Sequence, residues 1–291
     1  MTSADLRLPV CVETQGLADR VVAEVWAAGA LGVEERADSR RIELLIYLAG
    51  ATEGAIRTAL EPFASEGAEV GASQAIGDLD WREAWKEGLE AIVISPRLVI
   101  RPSFIEHARG PGQAEVVVDP GQAFGTGGHE STRLALEWID ALMGEEGGAP
   151  RVLDVGTGSG VLALSALRLG ATRAVGFDLD RDAIAEARES ARANGLAPRF
   201  DCFAGPIACL GGAVFDLVLA NLLRSEVLPI AREIAQSLAP GGRLVLSGLV
   251  ESDRGAVLEG FAGNGLAAGS ERTRRDASGV VWIAPLLVAR S

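Results

Sequence analysis

From Arg151 to Val250, short apolar runs alternate with segments of helical period. RVLDV precedes a helix that begins after Gly160, RAVGFDLD precedes the helix DAIAEARESARANG, and FDLVLAN precedes a further helix and then GGRLVLSGLV. Strands separated by helices of this length form right-handed crossover units, which predicts an α/β fold with a mainly parallel, doubly wound sheet covered on both faces. Uninterrupted apolar strands such as LVLA agree with burial on both sides. Beyond Gly255, the segment GAVLEGFAGNGLAAGSERTRRDASG reads as a helix followed by a loop, and VVWIAPLLVA as a late strand pair.

The texture upstream is different. LRLPVCVET and RIELLIYLA read as strands, while Gly16 to Gly29 and Thr52 to Phe63 read as helices with alanine-rich faces. These elements predict a small α+β, ferredoxin-like domain over residues 1–75. In the following DLDWREAWKEGLE, Trp81 and Trp85 are spaced to share one face of a short helix, which predicts a linker helix over 76–90. The short apolar strands IVISPRLVI and EVVVD then open a second domain over 91–291.

Composition narrows the partners. The chain has 40 acidic and 27 basic residues, a formal net charge of -13, and no local basic patch, so direct binding to the phosphate backbone of nucleic acid is not expected. A basic or neutral partner fits better. The start lacks a basic flank followed by a long apolar run, and no stretch has the length of a membrane span, so a cytoplasmic protein with no membrane partner is expected. Cys11, Cys202 and Cys209 have no zinc-type spacing, and His107 and His129 are the only histidines, so no metal site is expected.

Two glycine-rich stretches stand close together, DPGQAFGTGGHEST and LDVGTGSG. The second places Gly156, Gly158 and Gly160 where a strand turns into a helix, so that a ligand can approach backbone N–H groups. Asp178, at the end of the next strand, is placed to accept both hydroxyls of a ribose, which points to a nucleoside-bearing ligand. A dinucleotide requires a third glycine where Val161 stands, and Asp154 just ahead of the loop would repel its pyrophosphate. S-adenosylmethionine, with an ammonium and a sulfonium and no phosphate, suits that acid. Asp154 also reads as a helix-capping acid. Asn221 ends FDLVLAN at the edge where open α/β sheets bind ligands; its amide can accept from an incoming amine, or cap the next helix.

These residues together resemble the PrmA family of methyltransferases, which modify ribosomal protein L11 on amino groups. DPGQAFGTGGHEST is similar to the family's loop, LDVGTGSGVLAL, GFDLDRDAIAEAR, VLANLL and PGGRLVLSGL to its later motifs in the same order, and W-x3-W to its linker. The resemblance implies a Rossmann-like class I methyltransferase domain and transfer of methyl groups from S-adenosylmethionine to lysine or N-terminal amines of L11. It implies donor contacts at Thr132, Gly156, Asp178 and Asn221, with Phe124 closing over the donor, and an N-terminal domain that recognises the protein substrate. Asp154, Gly158 and Gly160 join the donor site, Asn221 is the candidate catalytic group and His129 a candidate base. Where members of the family carry His-Pro-Thr-Thr or His-Glu-Thr-Thr, this chain has His129, Glu130, Ser131 and Thr132, which keeps a hydroxyl at Ser131. Related enzymes methylate lysines of the electron-transfer flavoprotein β subunit, an alternative substrate. A nicotinamide oxidoreductase, a donor-binding module without activity and a small-molecule amine methyltransferase are the other readings.

Overall fold

The structure is a computed structural model and describes residues 5–37, 41–75, 89–119, 128–144 and 149–289. The chain divides into two compact units, Met1–Leu89 and Glu90–Ser291.

The first unit contains β1 (Asp5–Val12), α1 (Gln15–Ala27), β2 (Gly32–Ala37), β3 (Ile42–Ala49), α2 (Glu53–Ala64), β4 (Glu69–Val70) and β5 (Gln74–Ala75). Its antiparallel sheet has the order β2-β3-β1-β4, with β5 also on β1. Residues two apart on a strand face the same way, and Leu8, Val10 and Val12 of β1 are buried together with Leu44, Ile46 and Leu48 of β3. Leu17, Val21 and Val25 of α1 and Ile56, Leu60 and Phe63 of α2 recur at helical spacing and complete the same core. The strand β2 is absent from the sequence reading because Glu34, Glu35 and Arg36 break its apolar alternation. As an edge strand it needs little apolar surface. Trp81 and Trp85 lie outside the described residues.

The second unit opens with β6 (Ile92–Ser95), β7 (Leu98–Arg101) and β8 (Ala114–Val117), which form a small sheet in that order. IVISPRLVI is therefore two strands. Pro96 and Arg97 form the turn, and Ser95 Oγ accepts from the backbone N–H groups of Arg97 and Leu98 at 2.9 and 3.1 Å.

Then follow α3 (Glu130–Leu142), β9 (Arg151–Val155), α4 (Val161–Arg168), β10 (Arg173–Asp178), α5 (Arg181–Ala193), β11 (Phe200–Ala204), β12 (Phe215–Asn221), α6 (Arg224–Val227), α7 (Ala231–Gln236), β13 (Leu238–Ser247), β14 (Leu249–Val250), α8 (Arg254–Ala262), β15 (Leu266–Arg275) and β16 (Val281–Ala289). The large sheet has the order β11-β10-β9-β12-β13-β16-β14, with β15 on β16. Its first five strands are parallel and β16 runs against them. Successive residues face opposite sides: Leu217 and Leu219 enter one core and Val218 and Ala220 the other. This is the mainly parallel, doubly wound architecture expected from the alternation.

The chain winds outward from β9 to β11 and then returns to place β12 on the other side of β9. The sheet thus changes direction between β9 and β12, and a crevice opens beyond their carboxyl ends, where Gly156 and Asn221 lie.

Two expectations are corrected, and one strand is added. The segment expected to be a loop after α8 contains the ten-residue strand β15, and VVWIAPLLVA is one strand paired with it. β15 pairs with β16 alone, so its ERTRR run can be polar without cost to a core. The run FDCFA forms β11, the opposite edge of the sheet, which the sequence reading passes over. Finally, Glu130 to Thr132 are the first turn of α3 and not the end of a glycine loop; residues 120–127 are outside the described set.

Candidate active site

The strand β9 ends in a turn that only glycine makes cheaply. Gly156, Gly158 and Gly160 have φ of 67, 51 and 82°, in the left-handed region. A Cβ on Gly156 would also stand 2.5 Å from Leu222 Cδ2. The turn is tied to the next strand, because the Gly158 N–H donates to Asp178 Oδ2 at 3.0 Å. Asp178 Oδ1 accepts from the Asp180 N–H at 3.1 Å. Both carboxylate oxygens are thereby oriented, and each keeps a lone pair for a further donor.

Asp154 lies beneath this turn. It is 1% exposed, and its Oδ2 accepts from Thr157 Oγ1 at 2.8 Å and from the Ala163 N–H at 3.1 Å. Its Oδ1 is buried with no hydrogen-bond partner among the described residues. Burial pushes this carboxyl up to about 7; the two hydrogen bonds oppose the shift, and the charge of Asp178 adds to it. The capping role is thus visible, and Asp154 does not reach the cavity described below.

On the other side of the switch point, Asn221 ends β12. Its Nδ2 donates to Thr132 Oγ1 at 3.2 Å, and its Oδ1 is buried with no hydrogen-bond partner among the described residues. Asn221 does not cap α6, where Leu223 takes the N-cap position and its N–H donates to Glu226 Oε2. Thr132 is fully buried in the first turn of α3, and Ser247 Oγ donates to the neighbouring Ser131 carbonyl at 2.7 Å, so α3 is pinned to β13. His129 is the N-cap of α3. Its Nδ1 accepts from the Ser131 N–H at 3.2 Å and lies 2.7 Å from Ser131 Oγ, which leaves the ring proton on Nε2.

These parts surround a cavity of about 790 Å³. Its wall includes Gly156, Gly158, Asp178 and Asn221, together with His129 and Ser131; Thr132, Asp154 and Gly160 lie behind it. Phe124 is outside the described residues. The size is that of a small-molecule site. Leu179 and Leu223 also line it while 78% and 57% exposed, beside the exposed acids Asp180 and Glu226. Neither leucine was among the expected site residues, and Gly248 and Trp282 line the cavity as well. Gly248 carries a readable signal as the glycine that directly follows LVLS: its φ is 79°, and a Cβ there would sit 2.6 Å from the Leu222 carbonyl oxygen. Trp282 has no such signal, since pairing along β16 alone brings it to the site.

Among the described residues, no group of three or more His, Cys, Asp or Glu side chains could hold a metal ion. No helix of the described residues is long and apolar enough to cross a membrane.

The chain matches the family described as Ribosomal protein L11 methyltransferase (PrmA) over residues 22–277. It is 44% identical over 197 residues to the ribosomal protein L11 methyltransferase of Syntrophotalea carbinolica, a match that covers 68% of this chain and 64% of that one. For the protein of the same name from Geobacter sulfurreducens the identity is 42% over 192 residues, covering 66% and 62%. The chain therefore spans just under two thirds of the length of these relatives. Over a longer stretch, it is 34% identical to the ribosomal protein L11 methyltransferase of Sorangium cellulosum, with 94% of this chain and 92% of the relative covered. Among solved structures, the ribosomal protein L11 methylase from Lactobacillus delbrueckii subsp. bulgaricus is similar with a TM-score of 0.61 and 27% identity, over 69% of this chain and 100% of that one. The matched span includes the glycine turn, Asp178, Asn221 and α3, and on these grounds the chain belongs to the ribosomal protein L11 methyltransferase (PrmA) family.

Proposed function

We propose that this protein transfers methyl groups from S-adenosylmethionine to lysine side-chain or N-terminal amines of ribosomal protein L11. The observation that carries this reading is the Asn221 amide: its N–H is committed to Thr132, so a buried carbonyl oxygen is left without a partner beside the cavity. A buried acceptor of this kind is costly unless a donor arrives, and an amine N–H is such a donor. The donor supplies an electrophilic methyl group on a sulfonium, which the amine lone pair takes in line as the sulfur departs as a thioether.

The remaining roles follow from position. Gly156, Gly158 and Gly160 let the methionine end approach the backbone, and Asp178 accepts from the ribose hydroxyls. Asp154, below the turn, favours the positive charge of the donor. Thr132 orients Asn221. Phe124 belongs to the loop that closes over the donor. The chain's own contribution is chiefly alignment of amine, methyl and sulfur. His129 does not act as base through Nδ1, whose lone pair already caps α3.

The N-terminal unit, in this reading, is ferredoxin-like, as its β2-β3-β1-β4 order suggests. It recognises L11 from residues 1–75, with a linker over 76–90 and the methyltransferase domain over 91–291. A cytoplasmic location, with no metal and no nucleic acid or membrane partner, completes the proposal. The flavoprotein β subunit is not favoured as substrate, because the relatives at 34–44% identity carry the ribosomal-protein name.

The deciding assay offers purified L11 and the flavoprotein side by side with labelled donor, followed by mass spectrometry. Label on L11 supports the proposal; label on the flavoprotein alone refutes the partner. For the donor site, Asp178→Ala is expected to raise the donor Kd about 10- to 100-fold by calorimetry, since it removes an acceptor for two hydroxyls. An unchanged Kd would sink that assignment.

A further inference from the structure

Trp282 lines the cavity, and its ring stands edge-on to His129, with centroids 4.5 Å apart and planes at 81°. Its backbone is held from both sides, opposite Arg274 of β15 and Val250 of β14. Its side chain is held separately. The indole N–H donates to Asp276 Oδ2 at 2.8 Å. Asp276 lies in the turn between β15 and β16, and its other oxygen accepts from the Ser278 N–H at 2.9 Å, the Val280 N–H at 3.0 Å and Ser278 Oγ at 2.6 Å. One carboxylate thus closes the turn with Oδ1 and aims the indole with Oδ2. The Ser278 hydroxyl and then the indole hold this carboxyl down at about 2, so it stays ionised near neutral pH. Asp276 does not itself line the cavity.

The sheet order says which part of the cavity this serves. Gly156, Gly158 and Asp178 follow β9 and β10, Asn221 ends β12, and β16 lies on the far side of β13 from these strands. Trp282 therefore faces the cavity from the Asn221 side, opposite the donor-holding turn. It also touches the cap of α3, the helix whose Thr132 orients Asn221. An indole ring at that position can pack along an alkyl chain and attract a cationic amine, provided one rotamer is fixed.

We propose that Asp276 is a positioning residue for methyl transfer: through the indole N–H it fixes Trp282 as the aromatic wall that receives the side chain of the acceptor amine. This rests on the methyltransferase reading of the cavity. Asp276→Asn leaves a single acceptor oxygen to serve both the turn and the indole. The KM for L11 is expected to rise about five- to tenfold, kcat to fall by less, and the donor Kd to stay within about twofold. Ser278→Ala loosens the turn but keeps the bond from indole to carboxylate, and is expected to leave KM in place. In Trp282→Phe, which has a ring but no N–H, adding Asp276→Asn is expected to change KM no further. A full additional rise in that background, or a donor Kd rising in step with KM, overturns the proposal. The indole N–H resonance of Trp282, identified by its loss in Trp282→Phe, is expected to move upfield in Asp276→Asn. An unmoved resonance overturns the clamp itself. A moved resonance in a protein that transfers no methyl group overturns instead the reading on which the role of the clamp rests.

Discussion

Asn221→Ala is expected to lower kcat by about two to three orders of magnitude while changing the donor Kd only a few-fold. The asymmetry follows from where the two ends of the amide point. Nδ2 is engaged with Thr132, a fully buried side chain within the protein, so its loss costs the donor little. Oδ1 has no partner among the described residues, and an acceptor that meets the amine only as it aligns contributes to the transition state more than to binding. A misplacement of about 1 Å in such an alignment can cost about 100-fold. Thr132→Val, which keeps the shape but removes the hydroxyl acceptor, is expected to reproduce about a tenfold part of the loss by freeing the amide to rotate. Steady-state kinetics with L11 beside calorimetry of the donor separates the cases. Equal losses in kcat and in donor affinity would make Asn221 a donor-binding residue instead.

The second large effect concerns Asp154 and is expected in stability. Its carboxyl titrates at about 7 in the folded protein, against 3.8 ordinarily, because burial disfavours the charged form more than its two hydrogen bonds favour it. Between these values the unfolded chain has released this proton and the folded chain still holds it. The unfolded state then binds fewer protons, so stability falls as pH rises. The loss begins near pH 4, is complete somewhat above pH 7, and amounts to on the order of 4 kcal/mol for about three units. Asp154→Asn has no such proton. Whatever fixed offset the new amide brings, urea unfolding at pH 4.5, 6 and 8 is expected to show the variant gaining on the parent by about 3 kcal/mol of that loss as pH increases. A constant difference across the three pH values would show that Asp154 is not protonated in the folded protein. Donor affinity is expected to move the other way. A bound sulfonium and ammonium favour the ionised carboxyl, so the parent binds donor more tightly as pH passes 7, and the variant loses that dependence. A carboxylate retained at a cost to the empty protein fits a site built for a cation.

The sequence by itself determined the doubly wound sheet and half of the site. Strand and helix periods leave few topologies, and GTGSG followed by Asp178 is a local arrangement in which the turn, the helix start and the next strand end are bound together by short-range geometry. Gly156, Gly158 and Asp178 were legible for that reason. Asp154 was legible as an acid near a cationic ligand but not as a buried one, because burial depends on what covers the turn. The tertiary structure alone decided the other wall. Thr132 meets Asn221 only because α3 packs at the end of β12, His129 became a cap because the helix begins one residue after it, and Trp282 arrives through the antiparallel strand β16. Edge strands such as β2, β11 and β15 escaped the sequence for the same physical reason. An edge carries its hydrogen bonds on one side and asks little of its side chains, so its residues need not alternate, and only the partner strand reveals that it is there.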